Sequence, residues 1–106
     1  MSNLPKEPIK VKASGKFLDA GTYDLVVHKF GDNTPAIVLN NNGQREAVVT
    51  VSVEDAELEP NEILVKNWGA NEGIADSLVE EGLIAPTGKF IPTGYVEAQI
   101  YKWTGE

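Results

Sequence analysis

Residues 71–84 read NEGIADSLVEEGLI, and they are the stretch with persuasive helical spacing. Ile74, Ala75, Leu78 and Val79 recur at the three- and four-residue intervals that gather one apolar stripe along a helix. Asp76, Glu80 and Glu81 fall mainly on the other side. Asn71 suits an N-cap, where a side-chain oxygen accepts from the exposed first-turn amides. Glu72 then lies near the positive end of the helix dipole, and Gly82 can take the left-handed conformation that ends a helix. The pattern predicts one helix over about 71–82. Glu80 and Glu81 sit at its negative end, a local conflict that hints at a surface kept acidic.

Outward from this segment the periodicity changes to that of strands. Ile9–Phe17 begins with alternation, and Thr22–Phe30 is rich in β-branched and aromatic residues. GDNTP at 31–35 is dense in turn residues. Ala36–Asn40 and Arg45–Val53 flank NNNG at 40–43, a hairpin signal because Asn-Gly accepts the positive φ of a type I′ turn. Ala47, Val49, Val51 and Val53 share one face of the second strand. Residues 54–62, EDAELEPNE, form an acidic loop, and Ile63–Trp68 reads as another strand. The two Pro-Thr-Gly triplets, at 86–88 and 92–94, read as turns. Tyr95–Trp103 is the last strand, with Tyr95, Glu97, Gln99, Tyr101 and Trp103 on one side and Val96, Ala98 and Ile100 on the other. The expected architecture is α+β: an antiparallel sheet of five to six strands with the helix packed on one face. Residues 1–8, with two prolines, read as a flexible leader, and 9–106 as a single domain.

Composition narrows the functions. The chain has 106 residues, no cysteine, one histidine and a net charge of −7. A disulfide framework and a cysteine-based zinc site are excluded. No apolar run approaches the roughly 18 residues of a membrane span, and the first residues lack the apolar segment of a signal peptide. The expectation is therefore a cytoplasmic chain without a membrane partner. The charge is unevenly placed. Residues 1–30 are net +2, whereas residues 54–81 hold nine acids and only Lys66. Charge of this sign opposes direct binding of nucleic acid through phosphates.

No motif points strongly to catalysis. His28 could act as a general base, or be an ordinary strand histidine. With one histidine and no cysteine, no His-based metal set can form. The acids at 54–62 lack the spacing of a calcium-binding EF-hand loop. GANEG at 69–73 places two glycines at a helix start, where amides can hold an anion, but Glu72 opposes a phosphate there. Tyr95, Tyr101 and Trp103 could form an aromatic platform or pack against a neighbouring strand. The acidic excess either keeps the domain soluble or mimics the phosphates of a nucleic acid.

A resemblance bears on that choice. TPAIVL (34–39), Gly43, AVVTVSV (47–53), ILVKNW (63–68), NEGIADSLVEEGLI (71–84), PTG (86–88) and TGYVEAQIY (93–101) resemble a family of small proteins of unknown function. That family is spread through phages, plasmids and conjugative elements. The sharpest part is the ordered series Asn71-Glu72-Gly73, Leu78, Gly82, Pro86-Thr87-Gly88, Gly94-Tyr95-Val96. The likeness runs from Thr34 to Trp103, leaves residues 1–30 uncovered, and departs at Ser52, where the family more often has Asn. It implies a mobile-element accessory protein, and some relatives are similar to anti-CRISPR inhibitors.

The expected function is non-catalytic and cofactor-free: binding and inhibition of a host nucleic-acid-handling defence enzyme, of anti-CRISPR or anti-restriction type. Glu54, Asp55, Glu57, Glu59, Asp76, Glu80 and Glu81 are the candidate contacts, with Tyr101 and Trp103 as aromatic anchors. The alternatives are a virion structural or assembly component, with an exposed edge strand serving a homodimer, and a small-ligand-binding domain. If Leu78 is the helix's core anchor, Leu78→Ala will cost roughly 2–5 kcal/mol in urea unfolding. A loss below about half a kcal/mol would show the helix face to be wrongly assigned.

Overall fold

Alternation in the first thirty residues becomes two paired strands. β1 (Ile9–Ala13) and β2 (Gly21–Lys29) run antiparallel with Val11 opposite Tyr23. In this computed structural model, which describes residues 4–31, 34–53, 58–93 and 96–105, β2 pairs in turn with β3 (Pro35–Asn41). β3 then pairs with β4 (Gln44–Val48), giving a four-stranded sheet in sequential order. The β3–β4 hairpin turns on Asn42 and Gly43, with φ of 52° and 82°. These are the two positive values that a type I′ turn requires.

The expectation of a single sheet of five to six strands is corrected here. A second, three-stranded antiparallel sheet holds β5 (Glu62–Val65), β7 (Glu97–Trp103) and β6 (Ile84–Pro92), with β7 in the middle. The α+β class stands, with seven strands among the described residues. β6 occupies the region taken for turns. Its prolines, Pro86 and Pro92, stand on an edge strand, where a missing N–H need cost no ladder bond. The register shifts between Pro86 and Lys89. Thr87 repairs that gap: its hydroxyl donates to Ile100 O at 2.7 Å and accepts from the Lys89 amide at 3.2 Å.

The predicted strand Arg45–Val53 also divides, because its chain changes sheets. Val49 donates its N–H to Ile37 O in β3 (2.8 Å), while its carbonyl accepts from Lys66 N beyond β5 (2.9 Å). Val51 N then donates to Leu64 O in β5 (3.0 Å). With the Val49 carbonyl turned away, Ile37 N–H loses its expected ladder acceptor. The Thr50 hydroxyl takes that place at 3.0 Å, with Thr50 only 3% exposed. One short segment thus joins the two sheets edge to edge.

The helix is shorter than predicted. α1 spans Ile74–Glu80, after a 3₁₀ turn at Gly69–Asn71. Asn71 is not its N-cap. It is buried, and its amide donates to Val48 O at 2.5 Å, tying the turn to the end of β4. Gly73 takes the cap position with φ 89°. A side chain there would also press on Gly15, because a Cβ would lie 3.3 Å from Gly15 Cα and Lys16 N. Gly15 is equally confined: a Cβ on it would come within 2.8 Å of Ile74 Cγ1. The C-terminus closes as expected. Gly82 N donates to Val79 O (3.0 Å) and Leu83 N to Leu78 O (3.1 Å), the paired bonds of a Schellman motif.

α1 packs against β1 and β6, the outer strands of the two sheets. Ser14 N donates to Ser77 Oγ (3.1 Å) and Lys16 N to Glu72 O (2.8 Å). Ile74, Ala75 and Leu78 enter the main core with Leu25, Ile37, Leu39, Ile63 and Trp103. A smaller cluster of Leu64, Ala98 and Ile100 lies on the other face of the three-stranded sheet, covered by Val51, Val53, Leu58, Trp68 and Ile91. The shared face of Ala47, Val49, Val51 and Val53 is therefore split between two cores. Leu4, within the expected flexible leader, packs against the main one. Thr50→Val keeps the shape of the crossover but leaves the buried Ile37 amide without an acceptor. We expect it to lose about 1–3 kcal/mol in chemical denaturation, with Thr50→Ser retaining most of the stability.

Candidate functional site

The helix that closes the fold also displays carboxylates. Its inward residues leave Asp76 and Glu80 facing solvent one turn apart, with Glu81 exposed at the C-cap. None of the three makes an ion pair among the described residues. Like charges four residues apart on a helix cost roughly 0.2–0.5 kcal/mol, and acids at a helix C-terminus oppose the dipole. The arrangement therefore carries an electrostatic cost that the apolar face of α1 offsets.

These acids do not stand in a purely negative field. Glu80 and Glu81 border a cleft of about 240 Å³ whose far wall includes Lys12, Ser14 and Thr22. Lys10, Lys12 and Glu81 line the adjoining hollow. Lys10 itself pairs with Asp24 at 2.7 Å, and Lys16 pairs with Glu72 at 3.6 Å on the exposed surface. The helix acids thus form a compact group beside the lysines of β1. The remaining described candidate, Glu59, is exposed and belongs to a different neighbourhood, beside Asn61, Glu62 and Lys102. Glu54, Asp55 and Glu57 lie outside the described residues, as does Tyr95.

The aromatic anchors are placed differently from the expectation. Tyr101 is 4% and Trp103 2% exposed, both within the main core. β7 is the middle strand of its sheet, with Tyr101 and Trp103 turned into the main core and Ala98 and Ile100 into the smaller cluster on the opposite face. Asn67 Nδ2 reaches Tyr101 Oη at 3.4 Å and Gln99 Oε1 at 3.3 Å. Trp103 Nε1 finds no acceptor among the described residues. Gly105 lies over the indole, since a Cβ there would fall 2.9 Å from Trp103 Cζ2. A partner touching the described surface would not reach either ring. Among the described residues, the large apolar side chains that are exposed are Phe17, Phe90 and Val96.

The other candidate chemistries find little support. His28 is exposed on β2, opposite Ala36. The GANEG turn is closed by the loop after β1, whose Gly15 and Lys16 lie on Gly73 and Glu72. Among the described residues no group of three His, Cys, Asp or Glu could hold a metal ion, and no helix is long and apolar enough to cross a membrane.

Sequence reasoning missed one charged group of consequence. Glu62 is only 6% exposed at the start of β5. Its Oε1 accepts from the Glu59 amide at 2.8 Å, and its Oε2 meets Lys89 Nζ at 2.5 Å. Burial pushes its pKa up, but the Lys89 hydrogen bond, the Glu59 amide and the charges of Lys89 and Lys102 outweigh that and hold it below the ordinary 4.5. The only sequence signal was an acid opening a buried Ile-Leu-Val run.

Comparisons with protein-family models, curated proteins and solved structures find no match for this chain.

A depressed folded-state pKa stabilises the fold above the unfolded value and loses that contribution as pH falls through the folded value. Urea unfolding should therefore show Glu62's contribution fading below about pH 4.5. Glu62→Gln should flatten that part of the profile and cost roughly 1–3 kcal/mol at pH 7. Identical pH profiles for the two proteins would contradict this account.

Proposed function

We propose that this domain is a non-catalytic, mobile-element accessory protein that binds a host nucleic-acid-handling defence enzyme and blocks its nucleic-acid groove. Its setting would be the host cytoplasm. The observation that carries the reading is the exposed trio Asp76, Glu80 and Glu81 on the short helix, none of which makes an ion pair among the described residues. Held by a Schellman end and a glycine-on-glycine start, that helix presents carboxylates in a fixed arrangement, as a phosphate mimic requires. The −8 carried by residues 54–81 adds long-range attraction to a basic groove. The resemblance to proteins of phages and conjugative elements points the same way.

The assembly-component reading has less support. Edge-strand pairing is discouraged at β6 by Pro86, Pro92 and the register shift, and β1 is flanked by α1.

Expression in a host carrying a CRISPR or restriction system should raise phage plating or plasmid transformation. Asp76→Lys/Glu80→Lys/Glu81→Lys should lower that protection by at least about tenfold, the scale of a few lost charge contacts. Its thermal midpoint should stay near that of the parent. Full protection by the triple variant would remove the helix from the interface, and no protection against any system tried would remove the inhibitor reading itself.

A further inference from the structure

A second feature of the surface has the opposite charge. Where the leader meets the end of β2, Leu4, Pro5, Val27 and Pro35 form the floor of a cleft of about 500 Å³. This lies within the roughly 300–1,000 Å³ typical of small-molecule sites. Leu4 and Val27 also pack against the main core, so the floor is an open end of that core rather than a scatter of surface residues. The rim carries Lys6, His28 and Lys29, all exposed. None of the three joins an ion pair among the described residues, and no described carboxylate lines the cleft. In a chain of net charge −7, this cleft, drawn mostly from the net-positive first thirty residues, combines an apolar floor with a basic rim.

Apolar floors and cationic rims fit one kind of molecule. An apolar body leaves water against Leu4, Val27 and the two prolines, while an anionic head meets ammonium and imidazole donors. We infer that this cleft binds a small amphiphilic anion, such as an acyl or aryl carboxylate. The inference goes beyond the inhibitor reading and does not depend on it, because the cleft shares no residue with the acidic helix. It also gives His28 a role as a donor at the rim.

Amide spectra of the ¹⁵N-labelled full chain, titrated with decanoate, decanol or decyltrimethylammonium, test it. Decanoate should give saturable shifts centred on Leu4, Lys6, Val27–Lys29 and Ala36, with decanol and the cation at least about tenfold weaker. Lys6→Glu/Lys29→Glu should weaken decanoate about tenfold or more without changing the thermal midpoint. Absence of saturable shifts, shifts centred elsewhere, or equal binding of decanol would overturn the proposal. So would pelleting with anionic vesicles without binding of monomeric decanoate, since that would mean a lipid surface and not a small-molecule site.

Discussion

Val49 answers to two sheets at once. Its N–H belongs to the ladder with β3 and its carbonyl to the segment that follows β5, so the main chain turns between its own two polar groups. A buried amide left by such a turn is expensive, and the Thr50 hydroxyl makes the turn affordable by accepting from Ile37. Everything downstream depends on this. The direction in which the chain leaves residue 50 sets where β5 lies, β5 sets β7, and β7 brings Tyr101 and Trp103 under the first sheet. Asn71 strengthens the same place from outside by bonding Val48 O.

The parts legible in the sequence were those governed by local periodicity. Ile74, Ala75 and Leu78 could be assigned to the core because a helix has a single period and α1 buries a single face. The hairpin at Asn42-Gly43 was legible because its φ values are a local demand. The parts that were hidden depend on distant partners. Nothing between Ala47 and Val53 announces a change of sheet: the alternation continues, while the residues inward of Val49 and those inward of Val51 serve different cores. β6 was hidden by its prolines and Thr87, which look like turn residues until an edge position and a bulge accommodate them. Asn71 has the chemistry of a cap and spends it on another strand.

The candidate surface was legible in part for the same reason. Which helix residues face solvent follows from which are apolar, so Asp76, Glu80 and Glu81 could be assigned outward from the sequence. The aromatic pair could not. Alternation distinguishes the two faces of β7 but not whether each is covered, and a central strand between two cores has no free face. Glu62 escaped notice because its partner is Lys89, twenty-seven residues later on β6, on the far side of β7. The acidic count therefore mixes groups held by a cation, Glu62 inside and Asp24 and Glu72 at the surface, with Asp76, Glu80 and Glu81, which make no ion pair among the described residues.

The short helix has a further consequence through its position. A sheet ending in unpaired N–H and C=O groups is a template for other chains. Here α1 lies against β1 on one side and β6 on the other, and the crossover at residues 49–51 joins the remaining pair of edges. Loosening seven residues would therefore uncover two strand margins from opposite ends of the chain together. Opening at the Gly15–Gly73 contact would expose those margins, and the exposed carboxylates of the same helix lie beside them.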